Sequence, residues 1–202
     1  MAISTSRPRL SALARREAIL AAAKPVFGSA GYHAATTREI ASAAGISEAL
    51  LYQHFPGKRE LFEAVIERAA ADLESRLCQA DGAADPIQAA VQAYFDFVQD
   101  EAALYRVFFH EALQSDPAFG RLHRDISRRI LQLVEGGIGE LAEARPGVRL
   151  DLVAQALAGM VSQLALWWVE DRSLAKDDIV ERAARLARGI YLTEASHGDQ
   201  AD

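Results

Sequence analysis

The chain of 202 residues holds one cysteine, Cys78. An intramolecular disulfide is therefore excluded, and a lone cysteine reads as a helix-side residue in a reducing compartment. Period-two alternation is missing as well, so no half-buried strand is predicted. The opening "MAISTSRPRLSALARREAIL" has no unbroken apolar stretch ahead of a cleavage site. No uncharged run approaches the roughly 18 apolar residues that a spanning helix needs. The expectation is a soluble, cytoplasmic protein without a membrane partner. Catalytic signatures are absent too: there is no Gly-rich phosphate loop, paired-cysteine site, His-Glu-x-x-His pattern or nucleophile elbow. His110-Glu111 and His123 with Asp125 are local pairs that do not specify a metal, and no motif places a Ser-His-Asp triad. We therefore expect no enzyme, cofactor or metal.

Charge is present but unevenly spread. Residues 1–59 hold eight Lys or Arg (Arg7, Arg9, Arg15, Arg16, Lys24, Arg38, Lys58, Arg59) against Glu17, Glu39 and Glu48. That is a net of +5 in a chain of net −6, which leaves −11 on the remainder. A basic head on an acidic body is the asymmetry expected when one end meets a polyanion.

Apolar spacing is helical almost everywhere after residue 10. A first helix is predicted over about Ala12 to Ser29, with Leu13, Ile19, Leu20, Ala23 and Phe27 inward, a kink near Ala21 from Pro25, and a stop at Gly31. A second starts at Thr36, whose hydroxyl with Glu39 completes a capping box, and ends near Ala44. Gly45 suits the left-handed conformation that closes a helix, and Ser47 caps the third, over about Glu48 to Phe55. Pro56 ends that helix, and a fourth runs from Lys58 to about Gln79. "ADGAAD" at 80–85 is the one clear shift in composition. The proposed division is a head at 1–66, the fourth helix continuing to about 80 as connector, and a body at 84–202. Body helices are predicted at about 86–99, 101–114, 117–143, 150–171 and 175–194, about nine in all for an all-α chain. "VEGGIGE" at 134–140 is expected to weaken the third of these and bend it.

Helices of eight or nine residues are too short to be stable alone, so the second and third must exist by packing on neighbours. Ile40, Ala41, Ala44, Ile46, Leu50, Leu51 and Phe55 provide that packing, leaving Glu48, Ala49, Gln53, Tyr52 and His54 outward. A Gly-centred turn between such helices is the physical description of a helix-turn-helix, whose second helix enters the major groove. Thr36 and Thr37, with Arg38 beside them, open the second helix, where free amides and the dipole attract phosphate. Tyr52 offers a hydroxyl, Lys58 a point charge, and Arg7 and Arg9 a cationic arm. Ala49 and Gln53 are placed to touch base edges, a thymine methyl and an adenine respectively. Tyr52 has a second option, packing its ring in the head, and His54 that of using only its backbone amide.

The stretches "REAIL" and "GYHAATTREIASAAGISEALLYQHFPGKRELF" resemble the TetR family of bacterial transcriptional repressors across about residues 15–66. The resemblance implies an all-helical homodimer with an N-terminal helix-turn-helix, a variable ligand-binding body and a two-fold interface made by the last two helices. By position it implies phosphate contacts from Thr37, Tyr52, His54 and Lys58, with Ser47, Glu48, Ala49 and Gln53 nearest the bases. Many members carry a basic or small polar residue where Glu48 and Leu50 stand here. Glu48 would repel phosphate unless it accepts from a cytosine amine or pairs with Arg38.

In the body, aromatics cluster at 93–113 and at Trp167 and Trp168. Adjacent aromatics cannot both face one way on a helix, so one of each pair fills the core while the other lines a cavity or interface. Phe95, Tyr105, Phe108, Phe109, His110, Met160, Gln163 and Trp167 are the candidate lining of a site for a small apolar or aromatic effector. Val153, Leu157, Met160, Leu164 and Trp168, with Ile179, Ala183, Leu186 and Ile190, are the candidate face for a two-fold four-helix bundle. Their other reading is as cover for the monomer's own core. The functional expectation is an effector-responsive regulator on a palindromic double-stranded operator, a repressor first and an activator second. A helical module that binds protein rather than DNA is the competing class.

Overall fold

The computed structural model of the protein describes residues 11–142 and 149–198. The arm with Arg7 and Arg9 and the "ARPGV" connection at 144–148 lie outside the described residues. Among those described, every regular element is helical. Two compact units meet in sequence between Ile66 and Glu67.

The first unit is built on α1 (Ala12–Ala34), α2 (Thr37–Ala43), α3 (Glu48–His54) and the start of α4 (Lys58–Ala80). Ser11 caps α1, its Oγ accepting from the Ala14 amide at 3.1 Å. Ile19, Leu20, Ala23 and Phe27 fall on one face and are buried as their spacing predicts. Leu13 does not join them: at 71% exposure it lies outside the core. Pro25 sits inside α1, and the departure from helical dihedrals falls at Gly31 (φ 81°, ψ 168°) rather than near Ala21. A left-handed φ there suits a residue without Cβ. Behind this corner Phe62 packs edge-on to Phe27 with centroids 4.8 Å apart and lies 4.9 Å from Tyr32. Ile40, Leu51, Phe55 and Leu61 complete a core from which water is excluded.

The second unit takes in the rest of α4 and α5 (Pro86–Asp100), α6 (Ala102–Arg106), α7 (Leu113–Ser115), α8 (Pro117–Ala142), α9 (Leu150–Glu170) and α10 (Lys176–Gly198). Asp85 caps α5 by accepting from the Gln88 amide at 3.0 Å, and Pro86 takes the first helical position, where its missing N–H leaves no bond unmade. Between α6 and α7 the chain runs as a π-helix over Val107–Ala112, a one-residue widening that the apolar spacing does not announce. α8 continues as helix through residues 134–140 despite their three glycines. Leu73, Phe95, Val98, Tyr105, Ala165, Trp168 and Val180 belong to one buried cluster, and Ile87, Ile138, Val153, Ala154 and Leu157 to a second. Around them Arg129 reaches Glu67 and Glu74 at 2.7 Å each, and Arg188 reaches Asp85 at 2.7 Å.

One expectation about length is corrected. Leu150–Glu170 is long and apolar enough to cross a membrane by length and composition, because residues 152–169 carry no charge. Its buried positions, Val153, Ala154, Leu157, Val161, Ala165, Trp168 and Val169, follow one helical face into the core of the second unit.

Candidate nucleic-acid interface and body site

The turn between α2 and α3 follows from three side chains and one glycine. The Glu39 amide donates to Thr36 Oγ1 at 3.2 Å, while Glu39 Oε2 accepts from the Thr36 amide at 3.0 Å, which satisfies two helix-start donors reciprocally. The Thr36 hydroxyl, which donates to Glu39 Oε2 at 2.8 Å, and then the Thr36 amide hold the Glu39 carboxyl below its ordinary value. Gly45 adopts φ 65°, and Ser47 Oγ accepts from the Leu50 amide at 3.2 Å to start α3 two residues later. Leu51 and Phe55 face inward, so Ala49, Tyr52 and Gln53 are left exposed on the opposite side of α3. His54 is half-buried at its last turn.

Lys58, Glu48, Thr37 and Tyr52 are already engaged within the head. Lys58 Nζ donates to the carbonyls of His33 at 2.9 Å and Ala35 at 3.2 Å and lies 4.9 Å from the centre of the Tyr32 ring. It closes the end of α1, where orphan carbonyls attract a cation, and keeps one ammonium hydrogen for another acceptor. Glu48 accepts the Thr37 hydroxyl hydrogen at 2.6 Å, and the Tyr52 hydroxyl lies 3.2 Å from the same Thr37 oxygen. Arg38 stands with its Nε 3.9 Å from Glu48 Oε2, its side chain 88% exposed. Tyr52 is 47% exposed, so its ring is not packed away in the head.

In the body the aromatics separate by face. Trp168 turns inward, edge-on to Phe95 at 5.7 Å, with its indole N–H donating to the Leu174 carbonyl at 3.0 Å and the Arg172 guanidinium 3.7 Å above the ring. Trp167 turns outward at 40% exposure and Gln163 is exposed beside it on α9. Neither faces the interior with Tyr105 and Phe108, which corrects their place in the candidate lining. Phe95 is fully buried core. His110 is exposed as well, its Nε2 2.7 Å from Glu170 Oε1. What does assemble inside is Tyr105 against Phe109 at 4.6 Å, Phe109 against His123 at 5.5 Å, and the Tyr94 and Tyr105 hydroxyls 3.2 Å apart. Burial pushes both tyrosine hydroxyls upward in pKa and keeps them neutral. Burial, and then Arg124, lowers the His123 imidazole below its ordinary value. Met160 is half-buried against both core clusters. Of the adjacent pair Tyr94 and Phe95, it is Tyr94 rather than Phe95 that joins the group around Tyr105.

The candidate dimer face is also corrected. Val153, Leu157, Trp168, Ile179 and Ala183 are buried in the chain's own core, and Met160, Leu164 and Ile190 pack partly against it. Leu186 alone of that set is exposed, at 56%. The outward stripe of α9 is instead Leu152, Ala156, Gly159, Gln163 and Trp167. Among the described residues no three His, Cys, Asp or Glu side chains gather as a metal-binding group.

Residues 19–65 match the bacterial regulatory proteins of the tetR family, and residues 83–192 match the tetracyclin repressor-like C-terminal domain. The chain belongs to the TetR family of bacterial transcriptional regulators, and its helix-turn-helix is the DNA-binding element of that family. It is 32% identical over 186 residues to the HTH-type transcriptional activator FasR of Mycolicibacterium smegmatis, covering 87% of this chain and 82% of that one. In fold it is similar to a tetR-family transcriptional regulator from Streptomyces coelicolor, with a TM-score of 0.78 at 24% identity over 93% of this chain and 85% of that one. It is also similar to FadR from Bacillus subtilis, solved in complex with stearoyl-CoA, with a TM-score of 0.75 at 19% identity over 85% and 96% of the two chains. Fold and family are those of regulators of transcription rather than of enzymes.

Proposed function

We propose that the protein is a homodimeric, effector-responsive repressor that reads a palindromic operator through α3. The observation that carries this reading is the compact turn of Thr36, Glu39, Gly45 and Ser47, which fixes α3 so that Ala49, Tyr52 and Gln53 face outward together. In this reading Thr37, Tyr52, His54 and the remaining hydrogen of Lys58 hold phosphates and set the register. Ser47, Glu48, Ala49 and Gln53 lie nearest the bases, with Gln53 suited to an adenine. Two heads must reach successive major grooves about 34–36 Å apart, which demands a dimer. Leu152, Ala156, Gly159 and Trp167 of α9 with Leu186 of α10 form the exposed, mainly apolar stripe that would meet its two-fold copy. An apolar effector would enter the body beside Tyr94, Tyr105, Phe108 and Phe109. By fitting one arrangement of the heads better than the other, it would shift the population toward that arrangement.

Activation is the second reading, favoured by the relative named as an activator over most of its length. The two readings share every contact and differ in where the operator lies relative to the promoter. The test is a fluorescence-anisotropy titration against DNA upstream of the protein's own gene and against a scrambled duplex, at several salt concentrations. Tighter, salt-sensitive binding to the upstream duplex is expected. Equal affinity for both duplexes, followed by failure to enrich any sequence from random DNA, would leave the protein-binding alternative. Stearoyl-CoA, bound by the FadR of similar fold, is the first effector to add. Thermal stabilisation by it without a change in operator affinity would break the proposed coupling.

A further inference from the structure

A short hydrogen bond joins the start of α2 to the start of α3. Thr37 carries a single hydroxyl hydrogen, and it goes to the Glu48 carboxylate at 2.6 Å. Toward Tyr52, 3.2 Å away, the same oxygen is therefore an acceptor, so the phenol hydrogen points at Thr37. The two hydroxyls run in series into Glu48 and present lone pairs, not hydrogens, to anything arriving from outside. Lone pairs repel phosphate oxygens. For Thr37 to donate to a phosphate its hydroxyl must turn away, and Glu48 then loses its close donor. Arg38 Nε at 3.9 Å is too distant to replace it by a hydrogen bond.

Resting on the DNA-reading role proposed for α3, we infer that Glu48 determines sequence specificity by requiring a base-edge donor in exchange for Thr37. Glu48 is the first residue of α3, whose exposed face carries the base-reading side chains. In the major groove, guanine and thymine offer acceptors that repel a carboxylate, and adenine sets its N6 donor beside the N7 acceptor. Cytosine N4 offers a donor without an adjacent acceptor on the same base. A half-site with cytosine in reach restores the bond that Thr37 gave up. Any other sequence leaves the carboxylate among phosphates with only the exposed Arg38 guanidinium, 3.9 Å away, so Glu48 both rewards one base and disfavours indiscriminate binding.

The full-length protein and its Glu48→Gln and Glu48→Ala variants are titrated against an operator selected from random duplexes, every single base-pair variant of one half-site, and a scrambled duplex. Circular dichroism confirms that each variant is folded. The expected result is a specificity ratio reduced on the order of tenfold in both variants, the size of one lost base contact. The loss is confined to one cytosine-bearing base pair per half-site, where Glu48→Ala becomes indifferent and Glu48→Gln moves toward adenine. A change by one common factor on every duplex would show that Glu48 contributes only its charge, and would overturn the inference while leaving sequence reading by α3 intact. Failure of the unsubstituted protein to prefer any duplex would overturn both.

Discussion

Replacing Lys58 by Met separates two jobs that one ammonium group performs. Its Nζ donates to the His33 and Ala35 carbonyls at 2.9 and 3.2 Å and lies 4.9 Å from the Tyr32 ring centre. Hydrogen bonds to a charged group contribute about 1.5–3 kcal/mol when buried. One of these is exposed and the other part-buried, so solvent takes most of that. The exposed cation–π contact adds about 0.5–1 kcal/mol. The head should lose about 1–2 kcal/mol, because the methionine stem keeps the packing and drops only the donors. Hydrogen exchange on the full-length protein reads this directly: amides of α1 near Gly31 and of α2 should exchange about 5 to 30 times faster. The third hydrogen accounts for the second job. If it meets one phosphate, the salt dependence of operator binding should flatten by about 0.9 in log–log slope. Unchanged exchange with a flattened slope would refute the structural role and leave Lys58 as a plain phosphate contact. Faster exchange with an unchanged slope would refute the phosphate contact instead.

Gly45→Ala should destabilise the turn by about 1–2 kcal/mol through its backbone alone, since φ is 65° and a Cβ would meet nothing within 4 Å; urea titration and operator affinity should fall together. Phe95→Ala, at a fully buried ring against Trp168, should cost about 3–5 kcal/mol, and a midpoint shift below that of a surface substitution would contradict the packing. His123, half-buried beside Phe109, has a folded-state pKa below its ordinary 6.5, so the unfolded chain binds the extra proton. Stability should therefore fall as pH drops through about 6.5 and level off below the folded-state value. His123→Gln should remove that part of the slope in thermal melts between pH 7.5 and 5.5, and an identical slope in the variant would show that other groups carry it.

Within the head, the turn between α2 and α3 was legible residue by residue. Thr36, Glu39, Gly45 and Ser47 act on amides no more than three residues away or on their own backbone, so spacing alone specified the capping box, the left-handed turn and the next cap. Lys58 was legible only as a charge, and Glu48 as a charge with Arg38 as one candidate partner, the pair found at 3.9 Å. Their hydrogen-bond partners, the carbonyls of His33 and Ala35 and the hydroxyl of Thr37, stand 25, 23 and 11 residues away in sequence and meet them only when the helices pack. Local rules carry no information about such pairs.

In the body the same limit moved a whole face. α9 is apolar around most of its circumference, so helical spacing selects several stripes equally well, and a shift of one residue turns the face by about 100°. Val153, Leu157 and Trp168 satisfied the pattern and went inward; Leu152, Ala156 and Trp167 satisfied it too and went outward. The π-helix at Val107–Ala112 is similarly silent in sequence, because one extra residue in a turn leaves composition and spacing almost unchanged. The helical class, the short-helix turn and the basic head follow from the order of residues, since each rests on bonds or charges local to the chain. Packing decided which aromatics face solvent, which carbonyls Lys58 meets, that Thr37 reaches Glu48, and which side of α9 stays exposed, since burial is settled by neighbours far away in sequence competing for the same surface.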